Sequence, residues 1–290
     1  MSSMPRVVYS GHEIQGLAHD LRRQGRRVGL IPTMGALHEG HLSLVRHAQS
    51  RCDISIATIF VNPTQFGPQE DLAKYPRTLD SDLALLDSVG CDIAFVPAAE
   101  EIYPTGFSTY VEPPAVARVL EGSFRPDHFR GVCTVVLKLL NLVPSHVACF
   151  GQKDFQQAAV IQHMVRDLNL PVEIEVCPIV REVDGLALSS RNRYLSSAER
   201  QQALALSAAL AAVVDQWNAG QRQASDLGDT MNEVLHRGGI SRIDYATVVD
   251  AQTLTAASDH EFRASDRPAV ALIACHVGTT RLIDNQLLNP

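Results

Sequence analysis

An α/β fold is predicted: a parallel sheet covered by helices, followed by a smaller α+β unit. Three observations predict it. Between residues 28 and 176, short apolar runs alternate with amphipathic ones, the order expected of strands and helices in turn. The apolar runs are near-continuous, as in strands buried on both faces. Beyond Pro178 the pattern changes to long helices and then to runs that alternate in places.

The predicted strands of the first part are Val28–Ile31, Ile54–Val61, Ile93–Val96, Val147–Phe150 and Val172–Val176. Between them the periodicity predicts helices over Leu42–Ser50, Leu79–Ser88, Val132–Leu142 and Phe155–Leu168, with Gly90 as the stop after the second. In the second part, Ser196-Ser197-Ala198-Glu199 has the capping-box pattern and opens a long helix to about Ala219, which Gly220 ends. A helix over about Ser225–His236 and strands at Ile243–Val249 and Val270–His276 complete it. The domain boundary is placed near Pro178, giving domains 1–178 and 179–290.

Composition narrows the function classes. The 290 residues are 46% hydrophobic and 20% charged, enough for packed cores. A net charge of −7 argues against a general nucleic-acid binder, which would want a basic face. The apolar stretch from Ala203 to Val214 is too short for a bilayer, and no charged-then-apolar leader opens the chain. A soluble cytoplasmic protein with no membrane or nucleic-acid partner is expected. Cys52, Cys91, Cys133, Cys149, Cys177 and Cys275 form no C-x-x-C pair, which is poor for a zinc site or a disulfide framework. They read as small buried hydrophobes in a reducing compartment.

The chemistry is sought where predicted strands end, because ligands of parallel sheets bind there. The first strand feeds Pro32-Thr33-Met34-Gly35-Ala36-Leu37-His38-Glu39-Gly40-His41 and then a helix. A helix start offers backbone N–H groups and the positive end of the dipole, which favour phosphate. His38 and His41 share one side of that turn and suit a polyphosphate whose charge grows during reaction. Spacing alone leaves open an ordinary tight turn with two solvated histidines.

The second strand ends in Asn62-Pro63-Thr64-Gln65, which puts Gln65 beside the first loop, able to read a hydroxyl or carboxylate. The Val147 strand ends in Gly151-Gln152-Lys153-Asp154, with Gln157 on the next helix. Lys153 can neutralise phosphate, and Asp154 can accept from ribose or cap the helix. Past the boundary, Leu188-Ser189-Ser190-Arg191-Asn192 can clamp phosphate or form a capped turn. Arg130-Gly131 adds positive charge before the Val132 helix. Asp80 and Asp82 can hold Mg²⁺ or simply face a helix dipole.

At these residues the chain resembles the pantoate–β-alanine ligase (pantothenate synthetase) family. The resemblance lies in residues 32–41, 60–66 and 75–78, in Phe129-Arg130-Gly131-Val132, in Gly151 through Gln157, and in Leu188 through Asn192. The histidine motif alone would indicate only the wider nucleotidyltransferase superfamily. The resemblance covers essentially the whole chain. It implies a Rossmann-like N-terminal domain, a C-terminal lid and a homodimer. The implied reaction is ATP-dependent condensation of (R)-pantoate with β-alanine in coenzyme A biosynthesis, with Mg²⁺.

By position, the resemblance implies that Met34, Gly35, Ala36, Leu37, His38, Glu39, Gly40 and His41 line ATP, with His41 as proton donor to the departing phosphates. Gly151, Gln152, Lys153, Asp154, Val180, Leu188, Ser189, Ser190 and Arg191 complete the nucleotide site. Gln65, Gln157 and Arg130 contact the substrates, and Asp82 is the candidate metal ligand. Three positions depart from the usual pattern: Gln152 stands where Glu is frequent, Leu188 where Met is frequent, and Ser81 interrupts the acidic run. Two readings compete with this one: a nucleotidyltransferase with a different acceptor, and a non-catalytic nucleotide sensor.

Overall fold

Six parallel strands in the order β1-β4-β3-β2-β5-β6 form the first sheet. The computed structural model describes residues 4–68, 70–256, 262 and 268–289. The strands are β1 (Arg6–Val8), β2 (Val28–Thr33), β3 (Ile54–Ile59), β4 (Ile93–Phe95), β5 (Val147–Gly151) and β6 (Glu173–Cys177). Between them lie helices α1 (Gly11–Arg23), α2 (Glu39–Arg51), α3 (Leu79–Ser88), the short α4 (Ala99–Ile102) and α5 (Glu121–Phe124), α6 (His128–Leu142) and α7 (Phe155–Asp167). The central strand β2 is buried along nearly its whole length, which explains why it reads as an unbroken apolar run.

The strand order locates the crevice. From β2 the chain winds outward through β3 and β4 on one side, and it later builds β5 and β6 on the other. The order therefore reverses between β2 and β5, and this switch point is where parallel sheets bind ligands. β2 and β5 pair at Gly29 with Val147 and Leu30 with Ala148. Both strands then run on to Thr33 and Gly151.

The chain divides into two compact units. One comprises residues 1–152 and 157–178, and the other residues 153–156 and 179–290. The second contains α8 (Ser197–Asn218) and α9 (Ala224–Arg237), with an antiparallel sheet of β7 (Arg242–Asp250), β8 (Ala269–Val277) and β9 (Thr280–Leu288). Its core joins Leu206, Leu210 and Trp217 of α8 and Leu227, Met231 and Leu235 of α9 to Val248, Ile273 and Cys275 of the sheet. The Ser196 hydroxyl accepts from the Glu199 N–H while the Glu199 carboxylate accepts from the Ser196 N–H, the reciprocal cap that the sequence predicts.

Some elements differ from the sequence reading. β1, α1 and β9 were not predicted. β1 is a three-residue edge strand, too short to show a period. α1 did carry a readable cap, since the Ser10 side chain accepts from the Glu13 N–H. In β9 the polar residues Arg281, Asp284 and Asn285 mask the strand, although a two-residue Gly278-Thr279 loop joins it to β8 as a hairpin. β3 ends at Ile59, short of the predicted Val61, and α6 begins at His128, so Arg130 and Gly131 lie inside its first turn.

Candidate active site

The β2–α2 loop is held from within. The Thr33 hydroxyl donates to the Thr58 carbonyl of β3 at 2.6 Å and accepts from the Gly35 N–H at 3.2 Å. Gly35 and Ala36 both take positive φ, +80° and +50°. A side chain on Gly35 would stand 3.0 Å from the Asp82 carboxylate, so glycine is required there on both counts. Asp82, on α3, is 1% exposed. Its Oδ2 accepts from the Ala36 N–H at 3.0 Å, and its Oδ1 accepts from the Leu37 N–H at 2.8 Å and the Thr78 hydroxyl at 3.2 Å.

Both Asp82 oxygens are thus engaged in holding the loop. The N–H groups of Gly35, Ala36 and Leu37 are bonded within the protein. By helix geometry the N–H groups of Glu39 and Gly40, at the first two positions of α2, are the donors without an intrahelical partner.

His38 caps α2 in an extended conformation, and His41 occupies the third helical position. The His38 N–H donates to Nδ1 of His41 at 3.3 Å. An Nδ1 that accepts carries no proton, so the neutral imidazole holds its proton on Nε2. The two rings lie against each other with centroids 4.2 Å apart.

Gln65 reaches the same loop from the end of β3. Its Nε2 donates to Sδ of Met34 at 3.2 Å. The Asn62 carboxamide donates to Gln65 Oε1 at 3.0 Å and to the Gly131 carbonyl at 3.2 Å. Asn62 Oδ1 accepts from Tyr103 at 2.8 Å and from the Thr64 hydroxyl at 3.0 Å. This buried network fixes which way the Gln65 amide faces. From α6, the His128 ring donates through Nδ1 to the Gln65 carbonyl, 2.9 Å away. Burial pushes the His128 imidazole down to about 4, helped by the neighbouring Arg125 charge. Arg125 also makes a two-pronged bond to Glu70, at 2.7 and 2.6 Å.

Gly131 lets α6 approach. A Cβ there would lie 2.3 Å from the Thr64 carbonyl oxygen. Arg130 is exposed, and its guanidinium sits 3.9 Å over the Tyr110 ring. Gln157 is half-buried near the start of α7.

The remaining candidates, Gly151 and Gln152 apart, belong to the second unit. Leu188 N–H donates to the Val180 carbonyl at 3.0 Å, so these two lie side by side. The Ser189 hydroxyl accepts from the Arg191 N–H at 3.3 Å and caps a short 3₁₀ turn, with Ser190 buried. Arg181 makes a two-pronged ion pair with the buried Asp284, at 2.7 and 2.9 Å. The next residue, Asn285, donates to the Lys153 carbonyl at 2.9 Å. Lys153 is half-buried and Asp154 exposed. Gln152 and Gly151 close the first unit's β5.

Sequence reading missed the supporting residues. Thr58, Tyr103 and His128 showed no pattern of their own, and Asp284 and Asn285 fell on an unpredicted strand. Only Asn62, next to Pro63 at a strand end, carried a local signal, since its side chain accepts from the Thr64 N–H as a cap.

A parallel sheet whose switch point carries a helix start with two apposed histidines defines a nucleotide-handling α/β enzyme. The chain belongs to the pantoate-beta-alanine ligase family, whose pattern matches residues 6–287. It is 50% identical over 284 residues to "Pantothenate synthetase 1" of Bradyrhizobium diazoefficiens, covering 98% of each chain. Among solved structures, the pantothenate synthetase of Thermus thermophilus matches with a TM-score of 0.90 and 41% identity, over 98% of this chain and 100% of that one. A pantoate-beta-alanine ligase from Francisella tularensis, complexed with beta-gamma ATP and beta-alanine, matches with a TM-score of 0.76 and 32% identity, over 98% and 97%.

Proposed function

We propose that this ligase joins (R)-pantoate to β-alanine at the expense of ATP, giving pantothenate, AMP and pyrophosphate. The observation that carries the reading is the His38–His41 bond at the switch point, which supports a neutral His41 with its proton on Nε2 at a helix start. Membership of the family supports it.

A carboxylate does not acylate an amine, because oxide is too poor a leaving group. The pantoate carboxylate attacks the α-phosphorus of ATP, the bond to the β-phosphate oxygen breaks, and pantoyl adenylate and pyrophosphate form. The β-alanine amine then attacks the mixed anhydride carbonyl, and AMP leaves. His41 Nε2–H and the N–H groups of Glu39 and Gly40 serve the phosphate charge that grows as pyrophosphate departs. Gln65, held by Asn62, orients pantoate, with Gln157 and Arg130 as further substrate contacts. From the second unit, Lys153, Ser189, Ser190 and Arg191 act on the phosphates, with Val180 and Leu188 against the nucleoside. Its proposed role as a lid is to exclude water from the adenylate.

Mg²⁺ is proposed as a companion of the nucleotide, since Mg²⁺ is commonly held through substrate phosphates. The oxygens of Asp82 do not fit it, and no step above runs through a metal. A homodimer and a cytoplasmic location are also proposed. No helix among the described residues is long and apolar enough to cross a membrane.

Mass spectrometry of the products of ATP, pantoate, β-alanine and magnesium tests the function. Pantothenate with AMP is expected, as is pyrophosphate–ATP exchange that requires pantoate. Exchange supported by another acid but not by pantoate would assign a different acceptor. Nucleotide binding without AMP release would leave only a sensor.

A further inference from the structure

Away from the phosphate-facing turn, α2 meets β5 and β6 through a cluster of metal-ligating side chains. His47 of α2, Cys149 of β5 and Cys177 of β6 each present a ligand atom, and the three atoms lie within 4.8 Å of one another. Both cysteines are buried, whereas the His47 side chain is 34% exposed, which leaves a way in from solvent.

The ladder explains the convergence. Cys149 pairs with Glu175, and Gly151 pairs with Cys177. Residues two apart on a strand share a face, so Cys149, Glu175 and Cys177 all point to the side that α2 covers. Glu175 completes the set: its Oε2 lies 3.3 Å from Nε2 of His47, and Arg51 pairs with the same carboxylate.

This geometry favours shared ligation over a disulfide. Cys149 and Cys177 are diagonal neighbours on this parallel ladder, one strand spacing of about 4.8 Å across and two residues of about 3.3 Å each along, so their Cα atoms lie roughly 8 Å apart. A disulfide wants about 4.4–6.8 Å. A tetrahedral ion reaches sulfur at about 2.3 Å and imidazole nitrogen at about 2.0 Å, so it bridges groups that cannot bond directly. A carboxylate beside the imidazole is the usual partner of a ligating histidine.

We propose that His47, Cys149 and Cys177 form a site for a thiophilic divalent cation of the Zn²⁺ or Co²⁺ kind, with Glu175 orienting the imidazole. The fourth position belongs to water entering past His47. The ion ties α2, which begins at the histidine motif, to β5, which ends at Gly151. Its role is to brace the walls of the switch-point crevice, and it takes no part in the reaction. The sequence hides this site, since its ligands come from three separate elements with no metal-site spacing.

The test uses the full chain, reduced and stripped with chelator, titrated with Co²⁺. One equivalent is expected to bind with thiolate-to-cobalt charge-transfer absorption. Cys149→Ser and Cys177→Ser should each remove most of that absorption. His47→Ala should weaken binding by at least about 10-fold, since even partners outside the coordination shell are worth that much. Cys275→Ser, in the other unit, should leave the titration unchanged. In the unaltered protein, Zn²⁺ should slow alkylation of Cys149 and Cys177, mapped by mass spectrometry, so the site is located even if a variant fails to fold. Absence of charge-transfer absorption in the unaltered protein overturns the proposal. So does absorption that survives in folded Cys177→Ser, or Zn²⁺ protection that maps to other cysteines.

Discussion

The backbone N–H of His38 donates to Nδ1 of His41 across one helical turn, at 3.3 Å. A local bond thereby favours the neutral tautomer with its proton on Nε2, the atom proposed to meet the departing phosphate. His41→Ala is expected to slow adenylate formation by about 10²–10³, the scale of removing one preorganised donor. ATP affinity should change only a few-fold. Rapid-quench measurement of a single turnover reads the step directly, and an unaltered rate would remove His41 from the chemistry.

Asp82 holds the same loop from outside it, through the Ala36 and Leu37 N–H groups. Asp82→Asn replaces one accepting oxygen with a donor facing a donor. The expected cost is about 1–3 kcal/mol of stability, with loss of turnover. The magnesium concentration for half-maximal activity should not move. A clear shift of that curve to higher magnesium would restore Asp82 as a metal ligand.

Gly131 sits where α6 touches the Gln65 turn. In Gly131→Ala the new methyl group would overlap the Thr64 carbonyl, so the turn must give way. A destabilisation of about 1–3 kcal/mol is expected from the overpacking. KM for pantoate should rise at least 10-fold, well beyond the change for ATP. Equal rises for both would mean that the turn does not address pantoate selectively.

His128 links stability to pH. Its imidazole titrates at about 4 in the folded protein against an ordinary 6.5, because it is buried with Arg125 close by; Glu121 and Glu70 oppose the shift. Between those two values the unfolded chain binds more protons than the folded one, so stability rises with pH there. The contribution is present in full above 6.5 and is lost as pH falls toward 4, up to roughly 3 kcal/mol. Denaturant unfolding at several pH values should show this slope, flattened in His128→Asn. An equal slope in that variant would place the linkage elsewhere.

Legibility in the sequence followed the range of the interaction. β2, β5 and α8 announced themselves because strand burial, helix period and the Ser196–Glu199 cap are local properties. The His38–His41 spacing was visible for the same reason. β9 was hidden because Asp284 and Asn285 look like loop residues until Arg181 and the Lys153 carbonyl are seen beside them. The partners of Asp82 were not legible because a carboxylate near a helix start looks the same whether it faces solvent, a metal or a distant loop.

By itself, then, the chain determined its alternation of strands and helices, its two-part organisation and the motifs at its strand ends. Each is written in neighbours a few residues apart. Only the tertiary structure decided that Asp82 serves the loop, that Asn62 and His128 aim Gln65, and that His47 meets Cys149 and Cys177. Those outcomes depend on which buried polar group finds which partner. The partners lie tens of residues away, brought together by a sheet order that no local pattern encodes.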